Sequence, residues 1–333
     1  MPVCEIFKHG VTIDPTSTVR PCCAWQSKDK EPLMYFEDNW QKRHEDWGKR
    51  SETEWLDECA ECKLSEENTD RDENSVLSLR QFYNEQFKDT HGIKHWDLKI
   101  NNTCNFACRM CHPGSSSKWA NLLRDNPEEN WVALEDQRLP SRGTWARKAL
   151  EFSHLMLDAQ VIKFTGGEPF MIPQVKKIIK RLIEEGVSSN IELHMITNGS
   201  YDMTDWNDLF EKFKTTKVNV SIEAIGKRYE YIRPGSSWAQ TSENLIKFNK
   251  LKPKNSDVTV SVLPMIFNHN NLDEIIDWCS DNDINCFKST PVIRPAFMSP
   301  NAMEDKSLRE QLIEQSEIMD KIHGTNWRDF VND

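Results

Sequence analysis

The chain has 333 residues, 42 basic and 53 acidic, and so a net charge of −11. Such an acidic balance makes generic nucleic-acid binding unlikely, and 12 Trp with 15 Phe supply more core than a disordered chain carries. No apolar run approaches the roughly 18–20 residues of a membrane helix, and the start MPVCEIFKHG has no secretory apolar stretch, so no membrane partner and a cytoplasmic location are expected.

In chain order, VTIDPTSTVRPCC (residues 11–23) reads as two short strands about the turn DPTS, and EDNWQKRHEDW (37–47) and SVLSLRQFYNEQF (75–87) have helical spacing. Short apolar strands then recur at WDLKI (96–100), VIKF (161–164), IELHMI (191–196), VNVSI (218–222), VTVSVL (258–263) and INCF (284–287). Between them lie the helix-period segments SSKWANLLR, PQVKKIIKRLIEEG, DWNDLFEKF, AQTSENLIKFNK and LDEIIDWCSD. In the second of these Val175, Ile178, Ile179, Leu182 and Ile183 form one apolar stripe, and Gly186 suits the C-cap. A polar, Trp-rich insert at 126–158 breaks the alternation. Its Trp131, Trp145, Arg138, Arg142 and Arg147 suit a lid, or plain packing and solvated surface. Residues 303–322 read as a last amphipathic helix, with Leu308, Leu312, Ile313, Ile318 and Ile322 sealing the sheet.

Six strands alternating with helices require a parallel sheet with right-handed crossovers, as an incomplete barrel or an open doubly wound sheet. Periodicity does not separate the two, and both put ligand sites at the strand C-terminal ends.

Ten cysteines carry most of the chemistry. Cys104, Cys108 and Cys111 follow the strand WDLKI with the spacing C-x3-C-x2-C, on a strand-to-helix loop at the expected active face. Three thiolates suit a four-iron cluster with one iron open; the same triad with His112 suits zinc. Cys4, Cys22, Cys59 and Cys62 form a second complete set, with Cys23 the alternative to Cys22, and spacing alone favours neither zinc nor a cluster there. Cys279, in an apolar helix, and Cys286, in a strand, read as core thiols. There is no HxH pair, no phosphate loop and no nucleophile elbow. Gly166, Gly167 and Glu168 fit either an ordinary tight turn or a backbone approach to a ligand, with the carboxylate available to an ammonium.

The C-x3-C-x2-C motif after the first strand, with Phe106 inside it, resembles that of the radical S-adenosylmethionine (SAM) superfamily. The resemblance continues in order through VIKFTGGEPF, ITNGS and VSIEAIGKRYEYIRPG and covers roughly residues 95–300. It implies a partial (β/α)6 TIM-like barrel within the α/β class. It also implies a [4Fe–4S] cluster on Cys104, Cys108 and Cys111, and SAM held by Gly166, Gly167, Glu168, Thr197, Asn198, Ser221, Glu223, Arg233 and Asn268. Ser221 and Glu223 share a strand face by period two, and many relatives carry Asp where Glu223 stands. For Arg233 a surface position, and for Asn198 and Asn268 a turn role, are the competing readings.

The pattern C-x17-CC…C-x2-C is similar to the twitch or SPASM segment of such enzymes, in which a hairpin and a C-x2-C pair hold an auxiliary cluster. Here the segment precedes the core, and Ser17 stands where Gly is usual. The similarity implies a small N-terminal cysteine-rich α+β module at 1–94, a core domain at 95–300 and a C-terminal helix and tail at 301–333. Its second cluster is [4Fe–4S] or [2Fe–2S], held by Cys4, Cys22, Cys59 and Cys62.

The implied activity is reductive cleavage of SAM to a 5′-deoxyadenosyl radical, which takes a hydrogen atom from the substrate. The electron comes from a donor such as flavodoxin or ferredoxin. Oxidation or modification of a peptide or protein residue is the expected outcome. The alternatives are dehydrogenation or epimerisation of a sugar or other small molecule and, in another class, a non-enzymatic zinc-stapled or electron-transfer protein.

Overall fold

The alternating pattern builds one eight-stranded sheet in the computed structural model, which describes residues 4–23, 25, 40–53, 55–67, 79–88, 90–131, 148–289, 291–292 and 294–331. A hairpin comes first, β1 (Gly10–Ile13) and β2 (Val19–Arg20). It is followed by β3 (His95–Leu98), β4 (Val161–Phe164), β5 (Glu192–Thr197), β6 (Thr215–Ser221), β7 (Ser256–Val262) and β8 (Asn285–Lys288). The spatial order is β2-β1-β3-β4-β5-β6-β7-β8; β1 and β2 pair antiparallel and every other neighbour is parallel. The expected α/β class and mostly parallel, incomplete barrel are therefore what the chain adopts. Strands β3 to β8 are the six predicted ones, with ends displaced by up to a few residues. Thus β6 begins at Thr215, because the β-branched Thr215 and Thr216 already pair with Glu192 and Leu193.

Parallel neighbours need crossovers, and helices supply them. The N-terminal region carries α1 (Ile6–His9), α2 (Trp40–Ser51), α3 (Ala60–Glu67) and α4 (Leu79–Phe87). After β3 come α5 (Ser117–Asp125), α6 (Pro173–Glu184), α7 (Asn207–Phe210), α8 (Gly226–Ile232), α9 (Trp238–Leu251), α10 (Leu272–Asp281) and α11 (Lys306–His323). Helix α6 buries Val175, Ile178, Ile179 and Leu182, and Gly186 beyond its end takes φ 75° as expected of a C-terminal stop. None of the described helices is long and apolar enough to cross a membrane.

The two sheet faces differ. On one, Leu193, Met195, Val218, Val220, Val258, Val260 and Val262 are buried in the same core as Leu182, Phe248 and Ile275 of the helices. The other is polar. Asp97, Lys163, His194, Lys217 and Asp257 stand in one row across β3 to β7. Lys163 lies 3.2 Å from Asp97, Lys217 2.9 Å from Glu192, and Asn219 donates to Thr259 Oγ1 at 3.0 Å. A closed barrel fills this side with branched apolar residues; an open one leaves it half-buried and charged.

The hairpin joins the core sheet directly, because β1 runs parallel to β3 with Gly10 opposite His95. At its turn Ser17 takes φ 67°, the left-handed conformation that Gly adopts freely, closed by Ser17 N–H donating to Asp14 O at 2.9 Å. In the insert, Trp131 packs edge-on against Trp119 at 5.5 Å. The other proposed lid residues, Arg138, Arg142, Trp145 and Arg147, lie outside the described residues. Helix α11, expected to seal the sheet, turns part of its buried face to the C-x3-C-x2-C loop. Met319 joins Ala107, Trp119 and Leu122 in a small separate cluster.

Candidate functional site

Strand β3 ends at Leu98, and the backbone then runs as an irregular loop to Ser116, the N-cap of α5. A loop this long needs partners for its peptide groups, and neighbouring elements provide them. Ser116 Oγ donates to Phe106 O at 2.6 Å, and Ser117 Oγ accepts from Cys104 N at 3.1 Å. Trp119 Nε1 donates to Cys108 O at 2.7 Å. From the far side, Ala107 N and Arg109 N donate to Pro234 O and Ile232 O, each at 2.9 Å.

The turn after β4 packs on the same loop. Gly166 and Gly167 have φ 63° and 60°, and a Cβ at Gly167 would stand 2.6 Å from Thr103 O. The close approach these glycines permit is thus to the cysteine loop. The N–H groups of Gly167 and Glu168 donate to Ser115 O and Thr103 O at 3.1 and 2.7 Å, so they are committed within the protein. Glu168 is fully buried. Its carboxylate accepts from Thr197 Oγ1 and Asn198 N, both at 2.8 Å, and from Phe170 N at 3.2 Å, which ties the ends of β4 and β5 together. Burial nevertheless pushes its pKa up to about 7.

Around the thiols stand two N–H donors. Asn198 Nδ2 lies 3.8 Å from Cys104 Sγ and donates to Asn105 Oδ1 at 2.9 Å. Arg233 Nη1 lies 3.5 Å from Cys108 Sγ. Both guanidinium and partner are buried, since Arg233 forms a bidentate pair with Glu223, with Nη2 at 2.7 Å from Oε1 and Nε on Oε2. The surface reading of Arg233 is excluded. Burial raises all three thiols, Cys111 to about 11, although the Arg233 charge opposes it. The raised values favour the neutral thiol, and a thiol loses its proton on binding metal.

Strand β6 ends at Ser221, so Glu223 lies past the regular period; Ser221 is half-buried and Glu223 fully buried. Asn268 is buried and spent on backbone. Its Nδ2 donates to Glu223 O at 2.9 Å and Leu263 O at 3.0 Å, and its Oδ1 accepts from Met265 N at 2.7 Å. His112 Nε2 lies 3.1 Å from Ser115 Oγ.

The N-terminal cysteines also converge. Cys4 precedes α1, Cys22 and Cys23 follow β2, and Cys59 and Cys62 lie on the helical turns 57–59 and α3. Burial pushes Cys22 well up, and the charges of Cys23, Cys4, Cys59 and Cys62 all add to it. Cys4 rises to about 12, and the Arg80 cation opposes the rise. Arg80 pairs with Glu66 at 2.5 Å. Cys23 is exposed and Cys22 buried. The Cys279 and Cys286 thiols, read as core residues, are buried and half-buried and hydrogen-bond to one another.

Among the described residues no three His, Cys, Asp or Glu side chains are preassembled about a single ion. The first set offers one buried and two half-buried thiols, with side-chain N–H donors aimed at two of them. The second gathers thiols from three chain segments beside a cation. Thiolates with N–H donors to sulfur are the ordinary donor chemistry of iron–sulfur clusters, and both sets fit one.

Sequence reasoning missed Asn105, Arg109, Trp119 and Asp320. Only Ser116 before an amphipathic run gave a readable capping signal. Helix α8 was read only as part of a motif, although Tyr229 and Ile232 recur at helical spacing and are buried.

A family model for the radical SAM superfamily matches residues 98–281, more than half of the chain. Among characterised sequences, a GTP 3′,8-cyclase of Sulfurimonas denitrificans is 23% identical over 192 residues, 56% of this chain and 50% of that one. A probable GTP 3′,8-cyclase of Methanococcus vannielii is 27% identical over 197 residues, 58% of this chain and 57% of that one. The chain therefore spans about half the length of the curated relatives it matches. A solved structure of native anSMEcpe with bound AdoMet is 14% identical with a TM-score of 0.44, covering 58% of this chain and 51% of that one.

Proposed function

This chain belongs to the radical SAM superfamily and is an enzyme, and from that premise we propose which of its residues carry the reaction and on what class of substrate. Cys104, Cys108 and Cys111 hold the SAM cluster. The observation that carries this assignment is the enclosure of their loop by the Gly167–Glu168 turn, Asn198 and Arg233. When bound, a [4Fe–4S] cluster and SAM supply one-electron cleavage of the sulfonium and a carbon radical that abstracts hydrogen.

Within this reading Asn198 and Arg233 direct N–H groups at the ligand sulfurs and stabilise their negative charge. Glu223 neutralises Arg233, so the buried guanidinium brings no net charge to the loop. Glu168, Thr197, Gly166 and Gly167 hold the strand ends that face SAM, and Glu168 is placed to exchange one internal hydrogen bond for the SAM ammonium. Ser221 lines the polar face below. Asn268 acts through Glu223's carbonyl. Phe106 and Tyr229, both buried, keep water from the thiols.

The second thiol set, Cys4, Cys22, Cys59 and Cys62, holds an auxiliary cluster, [4Fe–4S] or [2Fe–2S]. Cys22 serves in preference to Cys23 because it alone of the two is buried. The division into 1–94, 95–300 and 301–333 then separates the two metal centres and the C-terminal helix. A flavodoxin or ferredoxin supplies the electron.

For the substrate, the polar sheet face favours a small, highly charged molecule over the peptide or protein residue expected from sequence. Its row from Asp97 to Asp257 sets Lys163, His194 and Lys217 between two aspartates below the strand ends. Relatives named as GTP 3′,8-cyclases point the same way. Anaerobic reconstitution with counts of iron, sulfide and zinc, then dithionite and SAM, tests the core of the proposal. About eight irons, or about six for a [2Fe–2S] auxiliary centre, with 5′-deoxyadenosine formed support it. Stoichiometric zinc without SAM cleavage refutes it and leaves the zinc-stapled scaffold.

A further inference from the structure

Arg109 lies between Cys108 and Cys111, yet its guanidinium points away from the thiols and is buried. Nε donates to Tyr231 O at 2.8 Å, and Nη2 donates to Asp320 Oδ1 at 2.8 Å and to Thr325 Oγ1 at 3.3 Å. The guanidinium carbon sits 3.8 Å from the centre of the Tyr231 ring, and Phe330 stacks on that ring at 4.2 Å.

Asp320 is buried in the last turn of α11. Its second oxygen accepts from Trp327 N at 2.5 Å, and Thr325 Oγ1 donates to Oδ1 at 2.6 Å. A carboxylate in the last helical turn faces the negative end of the helix dipole and is unfavourable there on its own. Arg109 compensates that cost, as Asp320 compensates the burial of Arg109. The charge of the pair is closed only across the two segments, one carrying two proposed cluster ligands and the other some 200 residues further along the chain.

We propose that Asp320 is a positioning residue for the SAM-cluster loop. Through Arg109 it fixes the path of the chain between Cys108 and Cys111 and cancels a buried positive charge beside them. The inference rests on the assignment of Cys108 and Cys111 as cluster ligands.

Two consequences follow from charge alone. Asp320→Asn leaves Arg109 as an uncompensated buried cation. A reduced cluster carries one more negative charge than an oxidised one, so the cation favours the reduced form and the midpoint potential rises. A less reducing cluster cleaves SAM more slowly, and losing a partner that orients ligands costs activity by about 10–100-fold. Arg109→Gln with Asp320→Asn restores neutrality, so the potential returns toward the parent value although both charges are gone.

The test compares the full, reconstituted parent chain with Asp320→Asn, the double variant, Thr325→Val and the exposed control Glu317→Gln. Potentiometric titration followed by electron paramagnetic resonance, SAM cleavage, and amide exchange across 104–112 in the metal-free chain are measured. A raised potential, slowed cleavage and faster exchange in Asp320→Asn are expected, with Glu317→Gln unchanged and the double variant returning in potential. Thr325→Val, which removes only hydrogen bonds, speeds exchange without moving the potential. It keeps the loop-positioning claim testable should Asp320→Asn fail to fold, while the double variant tests the charge claim. Parental potential and exchange in Asp320→Asn, or a double variant shifted as far as the single one, overturn the inference. A parent chain that binds no cluster removes the function proposed above, an outcome seen before any variant is compared.

Discussion

The two cysteine regions are held in opposite ways. The C-x3-C-x2-C loop is contiguous, and its backbone is fixed by Ser116, Ser117, Trp119, Ile232 and Pro234. The N-terminal thiols come from three separated segments, joined by aromatic packing such as Phe7 on Trp25 at 5.5 Å and Trp25 on Trp47 at 5.2 Å. The first loop's backbone is shaped by its own hydrogen bonds, whereas on the assignment proposed above metal ligation would act as a tertiary constraint on the second set.

The sharpest way to break this contrast is to remove ligands. Cys108→Ala should abolish 5′-deoxyadenosine formation. Cys59→Ala with Cys62→Ala should keep uncoupled cleavage while product disappears, as read by chromatography of both species. Iron removal by a chelator comes next. Amide exchange at 4–23 and 55–67 should rise by about a hundredfold or more, and at 101–119 by less than about tenfold. Equal responses would erase the distinction.

Glu168 gives a smaller effect that is specific to the preformed site. Its folded pKa of about 7 lies above the ordinary 4.5, so the folded chain holds a proton that the unfolded chain has released. The contribution of Glu168 to the stability of the cofactor-free chain is fully present below about pH 4.5. It falls by about 3 kcal/mol as pH rises through 7, and Glu168→Gln flattens that dependence in urea titrations. The smallest effect belongs to Trp119→Phe. It removes the indole donor from Cys108 O and should cost about 1–2 kcal/mol, seen as a lower urea midpoint.

The strands were legible because period-two alternation survives on a sheet with one apolar and one polar face. In IELHMI, Leu193 and Met195 are buried while Glu192 and His194 are half-buried. The thiols and the Gly166–Gly167 turn were legible because few residue types perform their roles. What stayed hidden depends on contacts between distant segments. Sequence leaves Asn268 between a cofactor contact and a turn role until its amide is seen on Glu223 O, and Arg233 between a cofactor contact and the surface until Glu223 covers it. No local pattern announces that Asp320 faces Arg109. Helix α11 meets both the main core, through Leu312, and the cysteine loop, through Met319, because an apolar stripe says that a helix packs but not on what.

The register of β1 against β3 also sets an order of events. Gly10–Ile13 is made early, but its partner His95–Leu98 follows Cys4, Cys22, Cys23, Cys59 and Cys62 in the order of synthesis. Until then the edge of β1 that will face β3 has no partner. A chain truncated to begin at β3 would expose that strand's edge in turn, inviting association between copies. The cysteine-bearing segment and the barrel are separate stretches of sequence, yet they share one sheet.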